Sequence, residues 1–303
     1  MQSENRRLIA IVGPTACGKT QFAVEVARRH DGEILSGDSR QVYRGMDIGT
    51  GKDLGDYGEV PYHLIDIAEP GEKYNVYRFQ TDFAIAYEDI VSRGRQPILC
   101  GGSGLYVEAV LKNYGLLSVP PNKELRETLE NKSQEELATI LAGYQELHNV
   151  TDLDNKRRTI RAIEIADYLK NHEGEGGPLE GMESVVIGLN VSRETRRRRI
   201  TERLRRRLRE GMTDEIEGLI AKGVKAEDLI YYGLEYKYVT MYVTGTITRE
   251  EMAEQLEIAI HQFAKRQMTW FRGMERRGTK IHWIDAEQPM EKMIEEAEKV
   301  IGG

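Results

Sequence analysis

Two cysteines in 303 residues, Cys17 and Cys100, are too few for a disulfide framework, and no Cys/His cluster has zinc-finger spacing. Both thiols are read as small filler residues. No apolar run approaches the roughly eighteen residues that a membrane helix needs. The opening stretch Met1-Gln2-Ser3-Glu4-Asn5-Arg6-Arg7 leads directly into an apolar segment without a signal-peptide cleavage pattern. A cytoplasmic protein with no membrane partner is expected. Internal repeats and low-complexity tracts are lacking too, and 31% charged with 40% hydrophobic residues is ordinary for a folded soluble chain. There is also no excess of positive charge: the net charge is −7, which argues against nucleic acid until its distribution is considered. Ten arginines lie between Arg193 and Arg209, and Lys156-Arg157-Arg158 with Arg161 forms a second basic group. Local field, not net charge, decides whether a polyanion is attracted.

What the chain does have is a phosphate loop. Gly13-Pro14-Thr15-Ala16-Cys17-Gly18-Lys19-Thr20 fits G-x-x-x-x-G-K-[ST]. It follows the apolar run Leu8-Ile9-Ala10-Ile11-Val12 and opens onto a segment with helical spacing of apolar residues. Backbone N–H groups of such a loop cup phosphate oxygens, the lysine adds a charge, and the helix start adds its own unpaired N–H groups. Thr20 is placed to touch a magnesium ion or a phosphate oxygen.

Strands and helices then alternate. Residues 33–36 read as a strand that runs into the polar segment Gly37-Asp38-Ser39-Arg40-Gln41-Val42-Tyr43. Ligands of open parallel sheets sit at the carboxyl ends of strands, which makes Asp38 a candidate base; a turn or helix-cap aspartate is the competing reading. Residues 45–58 read as a long surface loop, 63–67 as a strand, 75–93 as an amphipathic helix and 96–100 as another strand. That strand ends in Gly101-Gly102-Ser103-Gly104, a second glycine turn whose Ser103 can offer a hydroxyl to the same ligand. A hydrolytic phosphate-loop enzyme usually carries an apolar strand ending in a magnesium-binding aspartate, and only Ile65-Asp66 imitates it.

Val119-Pro120-Pro121 breaks the alternation. Residues 122–169 read as helical without a strand, and 173–178 as a glycine-rich return. Strand 184–191 resumes the sheet, followed by the arginine helix, helices at 212–222, 234–243 and 249–272, a last strand at 280–285 and an acidic terminal helix. The expected fold is α/β: a P-loop NTPase-like parallel sheet flanked by helices. Residues 1–119 and 184–303 form the core, and 120–183 a helical insertion. Trp270 reads as a core aromatic rather than a base-stacking platform.

Taken together, residues 13–20, Ser36 to Thr50, His63-Leu64-Ile65-Asp66-Ile67, Gly101-Gly102-Ser103-Gly104-Leu105-Tyr106 and Ala264-Lys265-Arg266-Gln267-Met268-Thr269-Trp270-Phe271-Arg272 resemble the tRNA dimethylallyltransferases. The resemblance spans nearly the whole chain. It implies transfer of a dimethylallyl group from dimethylallyl diphosphate to N6 of adenine 37 in tRNA, with Mg2+ required and Asp38 as general base. It implies that the loop residues 13–20 hold the diphosphate, with Arg203 on the arginine helix making a further contact. Asp38, Ser39, Arg40 and Gln41 match one tRNA-contacting segment. Arg157, Arg158, Thr159, Ile160 and Arg161 match a second, in an insertion that holds the anticodon stem-loop. A monomer is expected. Four positions depart from the family pattern: Ser103 replaces a threonine, a basic residue usual near Glu235 and an arginine frequent near Ile230 are absent, and Arg78 stands in place of an aspartate. Other classes are a phosphate-loop small-molecule kinase with ATP in the loop, a non-catalytic tRNA-binding protein, and an adenylate dimethylallyltransferase acting on free AMP or ADP. The last would need neither the arginine groups nor the insertion.

Overall fold

The computed structural model describes residues 7–116, 119–144, 153, 155–171 and 177–302. Residues 173–176 of the expected glycine-rich return lie outside them, as does the stretch before Arg7. The chain divides into two compact units, 1–113 with 178–303, and 114–177.

The larger unit is built on a six-stranded, wholly parallel sheet in the order β3-β2-β4-β1-β5-β6. Its strands are β1 (Leu8–Val12), β2 (Gly32–Ser36), β3 (Tyr62–His63), β4 (Gln96–Gly101), β5 (Ser184–Asn190) and β6 (Ile281–Asp285). All five residues of β1 are buried, as a parallel strand covered on both faces requires. Alternation divides them: Leu8, Ala10 and Val12 enter one core, and Ile9 and Ile11 the other. The second core is closed by α1 (Lys19–His30) and α12 (Met290–Ile301). The first is covered by α2 (Val76–Ser92), α3 (Gly104–Leu111), α7 (Arg193–Arg209), α8 (Met212–Ala221), α9 (Ala226–Tyr231), α10 (Leu234–Val243) and α11 (Arg249–Arg276). The fold class expected from the alternation is the one found.

Two expectations are corrected. The strand expected at 63–67 ends at His63, because Leu64 and Asp66 take left-handed backbone with φ of 64° and 57°. The turn carries Asp66 to the ammonium of Lys52 at 2.5 Å. Residues 45–58 are not a simple surface loop either. Lys52 is buried and also binds Asp47 (2.6 Å) and the Tyr43 carbonyl (2.7 Å), while Met46 and Tyr57 join the two cores. From α8, the Glu215 carboxylate accepts the N–H groups of Asp47, Ile48 and Gly49 at 2.7–3.1 Å and the Tyr236 hydroxyl at 2.5 Å. A glycine-rich segment is thereby pinned by one lysine and one carboxylate. Arg78, the unexpected arginine, pairs with Glu72 at 2.6 Å and lies over the Tyr74 ring.

Residues 114–177 hold α4 (Lys123–Glu130), α5 (Gln134–Ala142) and α6 (Lys156–Asn171) among the described residues. Leu129, Leu137, Leu141, Ile160 and Ile163 form their own small core. Glu164, buried within this unit, binds Arg126 (2.8 Å) and Arg161. Burial opposes the charge, but those two guanidiniums and the Asn122 N–H prevail and keep its carboxyl below the usual range.

Candidate active site

Sheet register builds the site. Val12 pairs with Gly101 and Ser36 with Cys100, so the chain leaves β1, β4 and β2 at one edge, and the segments 13–18, 102–103 and 37–41 emerge side by side. This close approach excludes side chains: a Cβ on Gly101 would lie 2.5 Å from the Gly37 carbonyl oxygen.

In the phosphate loop Gly18 (φ 90°) and Ala16 (φ 63°) are left-handed, which turns successive N–H groups inward before α1 begins at Lys19. Lys19 spans the loop to the Pro14 carbonyl at 2.8 Å. Pro14 has no N–H, so its part is this carbonyl rather than a donor to phosphate. Cys17 is buried, with Sγ 3.8 Å from Lys19 Nζ. The Cys100 thiol at the end of β4 is pushed up to about 12, by burial first, with Lys19 opposing and Cys17 and Asp38 adding. That is inert chemistry, as expected for a filler. Thr20, half-buried on the first turn of α1, has no protein partner for its hydroxyl among the described residues.

Asp38 is half-buried. Its Oδ1 accepts the Arg40 N–H at 2.8 Å, a two-residue turn that orients the carboxylate, and Oδ2 has no protein hydrogen bond among the described residues. The turn reading is met by the Oδ1 contact. Ser103 Oγ accepts the Ser39 N–H at 3.1 Å and donates to Ser39 Oγ at 3.3 Å, tying the second glycine turn to the Asp38 segment. Gln41, half-buried, is engaged within the protein: Ser36 Oγ donates to its Oε1 at 2.9 Å, and its Nε2 donates to the Gly51 carbonyl at 3.1 Å. Arg40 is half-buried, 5.7 Å from the centre of the exposed Tyr231 ring.

Arg203 reaches the loop from α7. Its Nη1 lies 3.4 Å from Thr15 Oγ1 and its Nη2 3.5 Å from Asp53. The second basic group does not behave as one strip. Thr159 is fully buried and accepts from Gln134 at 2.8 Å, Ile160 is in the small core, and Arg161 is held by Glu164 and the Val119 carbonyl. Thr159 and Ile160 are therefore corrected as side-chain contacts to RNA, since α6 turns them inward. Arg157 and Arg158 are exposed.

Sequence reasoning missed Gln267 of α11. Its Oε1 accepts the Thr15 N–H at 2.8 Å and its Nε2 donates to the Gly102 carbonyl at 2.9 Å, so one buried amide staples the two glycine turns. The motif at 264–272 contained it, but nothing local shows where an amide on a long helix will point. Trp270, one turn further, packs on Gly104, where a Cβ would collide with the indole, and is half-buried against the main core. Its expectation as a core aromatic holds. Gln267→Leu leaves the Thr15 N–H and the Gly102 carbonyl without their partner, a cost of about 1–3 kcal/mol. We expect urea unfolding to show that loss; an unchanged midpoint and slope would remove the staple.

A sequence profile of the IPP transferase family matches residues 41–274, and one of isopentenyl transferase matches 6–57. The chain is 61% identical to tRNA dimethylallyltransferase 1 of Parabacteroides distasonis over 95% of each chain. It is 58% identical to tRNA dimethylallyltransferase 2 of Porphyromonas gingivalis, over 97% of this chain and 99% of that one. Among solved structures, the full-length tRNA isopentenylpyrophosphate transferase of Bacillus halodurans is similar, with a TM-score of 0.73 and 35% identity over 98% of this chain and 96% of that one. A phosphate loop after β1, a carboxylate after β2 at the same sheet edge and an arginine helix reaching the loop thus occur in a chain that belongs to the IPP transferase family, the tRNA dimethylallyltransferases.

Proposed function

We propose that this enzyme transfers a dimethylallyl group from dimethylallyl diphosphate to N6 of adenine 37 in tRNA. The observation that carries the reading is that Asp38, after β2, and the phosphate loop, after β1, emerge at the same edge of the sheet on either side of β4. An exocyclic adenine amine is a poor nucleophile, and Asp38 takes its proton as the N6–C1 bond forms. The C1–O bond breaks, and the diphosphate leaves with the electron pair into the loop amides, Lys19 and Arg203. The Thr20 hydroxyl is the protein donor that fits Mg2+, an ion that keeps several waters and shares substrate phosphate oxygens. Among the described residues no cluster of three or more acidic, His or Cys ligands offers a competing cage. Bound there, the ion would neutralise charge developing on the diphosphate. Asp66, the one imitation of a hydrolytic magnesium aspartate, is spent on Lys52, which counts against a kinase.

The adenine must leave the anticodon-loop stack, a cost of a few kcal/mol offset by pocket and backbone contacts. Ser39 and Arg40 stand beside Asp38 for that purpose, and Arg157 and Arg158 supply phosphate contacts to the anticodon stem. The enzyme works as a monomer, in the cytoplasm where tRNA is modified; among the described residues no helix is long and apolar enough to cross a membrane. Replacing Arg157 and Arg158 together by alanine should weaken tRNA binding and flatten the plot of log K against log salt by about one to two units. An unchanged slope in filter binding would remove both residues from the interface.

The reaction itself is tested by label transfer from dimethylallyl diphosphate, with Mg2+, to unmodified tRNA carrying A36-A37-A38. AMP and a tRNA with G at position 37 are run alongside. Label on the first tRNA alone is expected. Label on AMP alone would reassign the acceptor to the free nucleotide.

A further inference from the structure

Four charged side chains meet beside the phosphate loop, and the chemistry above uses only one of them. Arg203 and Arg207 lie one turn apart on the inner face of α7, with side chains 27% and 7% exposed. Both direct Nη2 at the same atom, Asp53 Oδ2, at 3.5 Å and 3.1 Å. The Nε–H of each is buried with no acceptor. Glu235 lies at the start of α10; burial pushes its carboxyl up while Arg207 and Arg203 pull it down. The Arg207 guanidinium is held at about 10, lowered by burial first and by Arg203, with Asp53 and Glu235 opposing. The loop bearing Asp53 fits tightly over the pair. Gly51 is left-handed (φ 66°), and a Cβ there would collide with both guanidiniums.

Asp53 is the carboxylate that both guanidiniums contact in a partly desolvated place, with Glu235 a further acidic group acting on both, and an arriving anion must share them. Asp53 poses a problem for that anion. Left on Arg203 alone, it would compete with the diphosphate for the guanidinium and repel it. Arg207 is nearer to Asp53 than Arg203 is, is more deeply buried, and, unlike Arg203, has no hydrogen bond to the phosphate loop among the described residues.

We propose that Arg207 is a positioning residue that holds Asp53 as its own counter-ion, and so frees Arg203 to bind the diphosphate. The role is exerted through Asp53 and not by contact with substrate, and it rests on the diphosphate site proposed above. On this basis Arg207→Met, which keeps much of the apolar stem in a buried position, transfers Asp53 wholly to Arg203. Pyrophosphate affinity should then fall, and KM for dimethylallyl diphosphate rise, by about tenfold, the order of one partly buried charge pair, with KM for tRNA unchanged. Adding Asp53→Asn to Arg207→Met removes the competitor and should restore pyrophosphate binding to within about threefold of wild type.

Calorimetric titration of pyrophosphate with Mg2+ into wild type, Arg207→Met, Asp53→Asn and the double variant decides the matter. Wild-type affinity in Arg207→Met would overturn the proposal, and so would a double variant as weak as the single one, because a packing role for Arg207 is not rescued by altering Asp53. Where Arg207→Met fails to fold, Asp53→Asn alone decides: affinity equal to or above wild type supports the proposal, and a marked loss overturns it. Lys19→Met is the control for the site. If it binds pyrophosphate like wild type, the anion sits elsewhere and the diphosphate reading has failed, whatever Arg207 does.

Discussion

Asp38→Asn lowers the rate of dimethylallyl transfer by about 10²–10⁴ while leaving tRNA affinity within about threefold of wild type. The substitution keeps the shape and the Oδ1 acceptor that binds the Arg40 N–H at 2.8 Å, so the turn from Asp38 to Arg40 survives. What is lost is the ability to take a proton from N6 as the new bond forms. Ser39 and Ser103 keep their mutual hydrogen bonds and continue to support the segment. Single-turnover label transfer reads the chemical step, and filter binding of tRNA reads the interface. Transfer at the wild-type rate would deny Asp38 its role as base, and an equal loss in both measurements would return it to a structural turn residue.

Lys19→Met lowers kcat/KM for dimethylallyl diphosphate by about 10²–10³, the scale of losing one charge-stabilising donor. Lys19 lies at the head of α1 and spans the loop to the Pro14 carbonyl, so it is already within the cradle the diphosphate would occupy. Negative charge builds on the leaving oxygens in the transition state, so the loss falls on kcat as well as on binding. Because the loop is also held from outside by Gln267 through Thr15, its shape should survive the substitution. Pyrophosphate affinity and a thermal melt separate the possibilities. Full pyrophosphate affinity would place the anion elsewhere, and a loss of affinity that matches a lowered melt would make Lys19 a loop brace rather than a phosphate ligand.

The site was legible in the sequence where chemistry depends on neighbours along the chain. A glycine-bounded loop between an apolar run and a helix shows its purpose locally, because strand, turn and helix start are all set by short-range sterics. Asp38 and Ser103 could be placed for the same reason: each follows directly on a strand, and parallel strands end at one edge. The strand at 63–67 was misread because its apolar residues satisfy a local pattern, while the turn at Leu64 and Asp66 answers to Lys52, remote in the chain. The same holds for residues 45–58, whose glycines and charges read as solvent loop until Lys52 and Glu215 are seen to pin them.

By itself the sequence determined the alternation that makes a parallel α/β sheet, the phosphate cradle, the candidate base beside it and the family to which these belong. Each rests on backbone geometry or on contacts a few residues apart. Tertiary structure alone decided which side chains converge on that cradle. It brought Gln267 across 252 positions to Thr15, directed Arg203 and Arg207 at Asp53, turned Gln41 inward to Gly51, and buried Thr159 and Ile160 where RNA contacts were expected. The physical reason is that a helix's facing is set by which of its stripes the core accepts. On α7 the sequence shows ten arginines of one type, and packing alone separates Arg207, buried against a carboxylate, from its solvated neighbours.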